Sequence, residues 1–289
     1  MKTRVITSIV AIALFVPFCI FSKDPAFLFV AFAAIIATVG AYEIFKCVSL
    51  HKKVLFSLIT YATTLSATIL TRVIASSERY FLVVSFIFFS YIFSSFVLAT
   101  FSKGAIKVVD AATAVLMTVY VSFSLSSVVL LRDLTFSGGE RGALGGKLYL
   151  LAFIFAWVPD IGGYFFGRFF GKRKLIPDVS PKKTVAGFVG GILLAVVVSV
   201  IYGLIIDLRG ITPYLVLAVM AGLCAVVSVC GDLLASLVKR HYAIKDYGFL
   251  FPGHGGVMDR FDSVIAVAPF LYILCYIANS FSLLSGFVG

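Results

Sequence analysis

The sequence predicts an all-α, polytopic integral membrane protein of about nine transmembrane helices, and three observations carry that expectation. The 289 residues are 61% hydrophobic and 13% charged, and the mean hydropathy is +1.11. A soluble chain of this length could not cover so much apolar surface. The apolar residues fall into runs near the ~20 residues that cross a bilayer: 5–21, 26–45, 54–70, 80–100, 108–131, 148–170, 187–206, 213–238 and 264–284. Finally, the segments between runs alternate in basic content. With nine spans, 17 Lys and Arg lie on the side of the N-terminus and 7 on the other, which predicts a cytoplasmic N-terminus and an external C-terminus.

Run 5–21 follows Lys2 and Arg4 in the manner of a secretion signal, but no small-residue cleavage site follows Phe21 and the next run starts almost at once. A retained helix is expected. Runs one to five make a scaffold region, 1–147, whose polar residues are mostly Ser and Thr, side chains that bond their own or a neighbouring helix cheaply. Glu43 and Asp110 sit near run ends, where water at the interface is expected to solvate them. The 132–147 segment contains Ser137-Gly138-Gly139-Glu140 and reads as a flexible connector. The remaining region, 148–289, carries four runs and the polar loops. No internal repeat or low-complexity tract interrupts either region. The basic bias toward an anionic lipid face accounts for much of the net charge of +11, so nucleic acid is not an expected partner. The five cysteines form no CxxC pair and are expected to be apolar packing residues.

The sixth run departs from scaffold. Asp160 stands near mid-span beside Pro159, and Asp160, Tyr164 and Arg168 recur every four residues on one face. A mid-span carboxylate is costly unless it faces a cavity or a partner. Gly163, Gly167 and Gly171 share the same spacing and form a stripe that another backbone can approach. The loop that follows contains Ser180-Pro181-Lys182-Lys183-Thr184. Ser at the N-cap and Pro at the first helical position predict a helix start there. Its free N–H groups, with Lys182, Lys183 and Thr184, would form a phosphate-binding end.

The densest chemistry lies between Gly231 and Ser263. If the eighth helix continues to Arg240, Asp232, Ser236 and Lys239 share a face; Asp259, Asp262 and Ser263 form a second face at the start of the ninth. Between them, Pro252-Gly253-His254-Gly255-Gly256 is too glycine-rich for helix or strand and suits a loop that aims N–H groups at an anion. Asp232, Asp259 and Asp262 are therefore expected to hold Mg²⁺, a hard cation that takes a few carboxylates plus phosphate oxygens; Mn²⁺ is an expected substitute and a second cation is allowed for. Lys239, Arg240 and Arg260 are expected to neutralise phosphate, with His254 as a hydrogen-bond donor. Asp246 is a lesser acidic candidate beside Lys245.

These residues resemble the phosphatidate cytidylyltransferase (CDP-diacylglycerol synthase) family. Its pattern is matched by Ser236, Lys239, Arg240, Lys245, Asp246, Pro252, His254, Gly255, Gly256, Asp259, Arg260 and Asp262 at the family's spacings over about 30 residues. More weakly, so do Asp160-x-Gly-Gly-Tyr-x-x-Gly-Arg and Ser180-Pro181-Lys182-Lys183-Thr184. Where many members continue Trp-Glu-Gly, this chain has Val185-Ala186-Gly187. The resemblance implies a multi-pass enzyme of the inner (plasma) membrane, often a homodimer, with its site facing the cytoplasm. It joins CTP and phosphatidic acid into CDP-diacylglycerol and pyrophosphate. Asp232, Asp259, Lys239, Arg260 and His254 would be catalytic. Ser236, Arg240, Lys245, Asp246, Gly255, Gly256, Ser180, Lys182, Lys183, Thr184 and Asp160 would contact the substrates, Lys182 and Lys183 at the lipid phosphate. Two other readings share features with it. A CDP-alcohol phosphotransferase would need an Asp-Gly-x-x-Ala-Arg pattern, which is absent. A cation-coupled transporter would use Asp160 and Asp232 as its ion site but would show paired repeats.

Overall fold

A computed structural model of the chain describes residues 26–75, 77–135, 144–251, 253 and 255–287. The run 5–21 lies outside the described residues. Among them are eight helices long and apolar enough to cross a membrane. These are α1 (Ala26–Cys47), α2 (Val54–Ile74), α3 (Tyr80–Phe101), α4 (Val108–Arg132), α5 (Gly145–Phe170), α6 (Val185–Ile205), α7 (Ile211–His241) and α8 (Met258–Ser280). A two-stranded hairpin, β1 (Lys174–Ile176) and β2 (Ser180–Thr184), joins α5 to α6. The all-α polytopic fold read from hydropathy is the fold observed.

The described residues form two compact units, one drawn from 26–129 with 241–261 and the other from 130–240 with 262–287. In the first, Phe45, Val48, Leu50, Phe56, Tyr91, Ile106 and Val115 share a buried core, with the Phe45 and Phe56 rings edge to face at 5.1 Å. The Ser and Thr residues behave as lipid-embedded hydroxyls should. Thr60, Thr64, Thr68 and Thr71 each donate to the carbonyl four residues back. Thr60 also meets the Tyr91 hydroxyl at 3.1 Å, and Ser126 on α4 donates to the Ala67 carbonyl on α2. Each such bond pairs a hydroxyl that would otherwise stand unsatisfied in hydrocarbon.

In the second unit, α5 and α6 approach through glycine. A Cβ on Gly162 would stand 2.9 Å from the Gly191 Cα, and one on Gly191 would stand 2.6 Å from the Pro159 carbonyl oxygen. Gly167 and Gly171 abut the Thr184 side chain in the same way. Of the stripe read from sequence, Gly167 and Gly171 thus abut the N-cap of α6, whereas a Cβ on Gly163 would stand an ordinary 3.7 Å from the Gly187 carbonyl oxygen. The close approach to Gly191 runs instead through Gly162, one residue off the stripe.

One local expectation is overturned. Ser180-Pro181 does not start a helix: Ser180–Thr184 is strand β2, antiparallel to β1, with Lys174 opposite Thr184 and Ile176 opposite Ser180. Helix α6 starts four residues later, where Thr184 adopts the extended cap conformation and accepts the Gly187 N–H through its hydroxyl at 3.1 Å. Two cap signals compete in Ser-Pro-Lys-Lys-Thr. The later one prevails because the hairpin also satisfies the Val185 N–H at the Arg173 carbonyl, and Pro181 is tolerated in a two-stranded ribbon that leaves one edge unpaired. Lys182 and Lys183 consequently point to opposite faces of a strand, Lys182 exposed and Lys183 half-buried.

Candidate active site

The second unit gathers charge where its helices approach most closely. On α7, Gly231 has no room for a side chain, because a Cβ there would stand 2.5 Å from the Ala266 Cβ and 3.1 Å from the Asp262 carbonyl oxygen on α8. That contact sets Asp232 beside Asp262, and Asp262 lies within electrostatic reach of Asp232, Lys239 and Asp160. From β2 the Lys183 Nζ reaches Asp232 Oδ2 at 2.6 Å and Asp160 Oδ1 at 3.8 Å. Ser263 donates its hydroxyl to Asp160 Oδ2 at 3.3 Å, and its N–H to Asp262 Oδ1 at 2.8 Å. Further along α7, Ser236 and Lys239 are buried on the Asp232 side while Arg240 is exposed. Arg168 donates to the Tyr164 hydroxyl one turn along the α5 face. Lys183 thus bridges carboxylates from two helices of spanning length, α5 and α7, while a third, Asp262 of α8, stands beside Asp232 and within reach of Lys239. Such a cluster is stable only with cations supplied to it.

The glycine-rich segment belongs to the first unit. The Phe251 N–H donates to the Gly255 carbonyl at 2.9 Å, closing a tight turn. Gly253 at φ +81° and Gly255 at φ +84° adopt a conformation that side chains disfavour. Pro252 and His254 lie outside the described residues. Of the segment read as an anion-binding loop, the Gly256 N–H meets an anion, joined by the flanking amides of Tyr247, Val257 and Met258, and the anions are the protein's own. Asp259 Oδ2 accepts from Tyr247 at 2.8 Å and from Gly256 at 3.0 Å. Glu43 on α1 accepts from Val257 through Oε1 at 3.0 Å and from Met258 through Oε2 at 2.8 Å. Glu43 is 3% exposed, which corrects its expected solvation by interfacial water. Its neighbour in that expectation, Asp110, is half-buried and accepts a bond from the Tyr242 hydroxyl at 3.0 Å. Burial first, then the Asp110 carboxylate, holds the Tyr242 phenol above its usual pKa against a lowering contact with Thr113. Lys245 and Arg260 are exposed and Asp246 is half-buried.

Of the residues singled out in the sequence, Asp160, Lys183, Asp232, Lys239 and Asp262 come together in the second unit. Asp259, Gly255 and Gly256 come together in the first. Thr184 caps α6, and Ser180 is half-buried at the start of β2. Glu43 was not anticipated as part of the loop's support. Its signal was present: it is the single acid of the 26–45 run. Ser263 was seen on the right helix face but without a partner. Among the described residues, no three His, Cys, Asp or Glu side chains gather closely enough to hold a metal ion by themselves.

The sequence profile of the cytidylyltransferase family matches residues 2–278. The chain belongs to that family. A Bacillus subtilis phosphatidate cytidylyltransferase is 47% identical over 45% of this chain and 48% of its own length. One from Staphylococcus epidermidis is 38% identical over 60% of this chain and 62% of its own. One from Staphylococcus haemolyticus is 32% identical over 95% of this chain and 98% of its own. The first two matches thus span about half to three fifths of those relatives. This member of the cytidylyltransferase family carries the polar cluster of Asp160, Lys183, Asp232 and Asp262 on a multi-pass helical membrane fold.

Proposed function

We propose that the chain transfers the cytidylyl group of CTP to phosphatidic acid, producing CDP-diacylglycerol in the membrane and releasing pyrophosphate. The observation that carries the proposal is the Lys183 ammonium shared by Asp232 and Asp160, with Asp262 adjacent. It is a cation-demanding cluster on helices whose length and apolarity suit a lipid substrate. The names of the similar proteins supply the cytidine and the diacylglycerol, which the geometry by itself does not specify.

In the reaction, an ionised oxygen of the lipid phosphate forms a bond to the α-phosphorus of CTP. The bond from that phosphorus to the β-phosphate oxygen breaks, and its electron pair leaves with pyrophosphate. The nucleophile is already charged, so the site needs no strong base. It needs positioning and neutralisation of like-charged reactants. Lys239, buried on the Asp232 side of α7, and Lys183 on β2 provide fixed positive charge. Lys182, exposed on the other face of β2, is placed to meet a lipid phosphate arriving at the membrane surface.

The donor set fits Mg²⁺. All donors are hard carboxylate oxygens, too few for a closed protein cage, and Mg²⁺ takes one or two carboxylates and completes its shell with phosphate and water. An ammonium already stands between two of these carboxylates, which marks the place as one where positive charge is favourable. Asp232 and Asp262 would hold the ion; Asp259, the third ligand expected from the sequence pattern, belongs to the first unit, where its Oδ2 accepts the Tyr247 and Gly256 amides. When bound, the ion would offset the charge of the triphosphate and of departing pyrophosphate. The 17-to-7 basic bias supports a cytoplasmic site in the inner membrane.

Purified protein incubated with α-labelled CTP and phosphatidic acid in mixed micelles should form labelled CDP-diacylglycerol and equimolar pyrophosphate. A CDP-alcohol phosphotransferase or a transporter would yield no pyrophosphate from that pair. Absence of product with Mg²⁺ and both substrates present would end the proposal.

A further inference from the structure

We infer that Glu43, on a helix of the scaffold region, is a positioning residue for the reaction: it clamps the glycine-rich loop and fixes the first turn of α8. The inference rests on the proposed activity, and its test has an arm that does not.

Three observations on the first unit carry it. The Glu43 carboxylate is buried and divides its two oxygens between consecutive amides, Val257 and Met258, at the point where α8 begins. The first N–H groups of a helix have no partner within it, and a carboxylate there is favoured by both the hydrogen bonds and the helix dipole. Next, the loop is shaped around this side chain. A Cβ on Gly248 or on Gly256 would collide with the Glu43 carboxylate, so both glycines are needed for that oxygen pair to enter. Behind it, Gly40, one turn back on α1, lets the Met258 sulfur come within 3.3 Å of where a Cβ would be. Lastly, the clamped turn carries chemistry. Asp259 and Arg260 follow Met258 directly, and Asp262 lies one helical turn on from Met258. Asp259 itself is fixed from the same side by the N–H groups of Tyr247 and Gly256. Glu43 and Asp259 thus take up four amides in Tyr247–Met258, and the orientation of the first turn of α8 depends on both.

Glu43 touches no proposed reacting atom, so its removal should act on turnover more than on binding. In Glu43→Gln the side chain keeps its size, but one oxygen becomes an amide nitrogen that faces an N–H. One charge-assisted bond is lost and a donor is set against a donor. We expect kcat to fall at least about tenfold with KM for CTP and for phosphatidic acid each changed by less than about threefold, the pattern of a lost transition-state alignment. Hydrogen exchange at the Val257 and Met258 amides should rise by at least about tenfold, while unfolding followed through Trp157, the single tryptophan, keeps its midpoint within a few degrees. Glu43→Asp, which keeps the charge one methylene short, should recover part of both effects. If Glu43→Gln does not accumulate, Gly248→Ala displaces the same carboxylate from the loop side and is read by the same measurements with the same expectation.

Wild-type kcat with unchanged exchange at residues 257 and 258 would overturn the inference. So would a rise in either KM at constant kcat, since Glu43 would then act on binding. Should the wild-type protein make no CDP-diacylglycerol, the proposed function fails, yet the exchange arm still decides whether Glu43 clamps the loop.

Discussion

Replacing Lys183 with Met removes one ammonium and little volume, and its consequence follows from the Asp232 pair. The Lys183 Nζ lies 2.6 Å from Asp232 Oδ2, with the two side chains 21% and 24% exposed. Breaking a fully buried pair by deleting one partner costs about 3–5 kcal/mol, whereas exposed pairs are worth less than about 1 kcal/mol. Partial exposure puts this pair between them, at about 2 kcal/mol, and the 3.8 Å contact with the 42% exposed Asp160 adds little. At roughly 2–4 °C per kcal/mol for larger domains, the unfolding midpoint in detergent should fall by about 4–8 °C in EDTA. Mg²⁺ should reverse much of that loss, because a bound ion stabilises by about 2.7 kcal/mol at 100 times its dissociation constant. In the wild type the ion must first displace the lysine from Asp232; in the variant it need not. The Mg²⁺-induced rise in midpoint should therefore be larger in Lys183→Met. Differential scanning in EDTA and at graded Mg²⁺, with no nucleotide, measures this. An unchanged midpoint in EDTA, or equal Mg²⁺ increments in the two proteins, would refute the reasoning that Lys183 occupies a cation position.

Asp232→Asn should leave a folded protein and lower turnover by about 10²-fold or more; near-wild-type activity at saturating Mg²⁺ would remove Asp232 from the site. Gly162→Ala forces a Cβ to 2.9 Å from the Gly191 Cα, so α5 and α6 must separate, and the unfolding midpoint should fall by several degrees; no change would mean that the glycine contact is loose. Lys182→Ala should raise KM for phosphatidic acid more than for CTP, as steady-state kinetics over both substrates would reveal, and equal effects would merge the two phosphate positions into one. A single cysteine at Lys174 should be protected from an impermeant label in intact cells while one at Arg209 reacts, since the basic bias predicts a cytoplasmic hairpin; the reverse pattern would invert the topology.

What was legible in the sequence was what periodicity and bulk hydropathy encode. Spans 26–45, 54–70, 80–100 and 108–131 correspond to helices Ala26–Cys47, Val54–Ile74, Tyr80–Phe101 and Val108–Arg132, because ~20 apolar residues have one low-energy arrangement in lipid. That Asp160 needs a polar partner was legible, since a mid-span carboxylate must find company, but its meeting with Lys183 and Ser263 was not. Local signals misled where two of them competed. Ser180-Pro181 and Thr184-x-x-Gly187 are both cap patterns, and a hydrogen bond from Val185 to Arg173, invisible in linear sequence, selects the second. Glu43 was misplaced for a related reason: position near a run end suggested water, but burial against residues more than 200 positions away decides its environment.

The carboxylates of this chain divide into two kinds by what neutralises them. Glu43 and Asp259 are met by backbone amides of one loop, whose N–H groups would otherwise stand unpaired beside the membrane, where each costs several kcal/mol. That charge is already compensated, and the dipoles that compensate it are fixed in the fold. Asp160 and Asp232 share the Lys183 ammonium, Asp160 also meets the Ser263 hydroxyl, and Asp262 is met by the Ser263 amide with Lys239 in electrostatic reach. Their compensation comes largely from side chains and is mobile in character, because a lysine side chain exchanges partners through rotamer changes that a backbone amide cannot make. A group that is to accept a cation, and release it with a polyphosphate product, belongs to the second kind. This is why Asp232 and Asp262 are the stronger ligands in the proposed site, while Asp259 has a measurable duty as a loop anchor. Asp259→Asn, which weakens the acceptor for Tyr247 and Gly256, should raise exchange at those two amides by about tenfold. Asp232→Asn should leave them unchanged. If both variants leave those amides protected, the division between anchoring and cation-holding carboxylates is wrong.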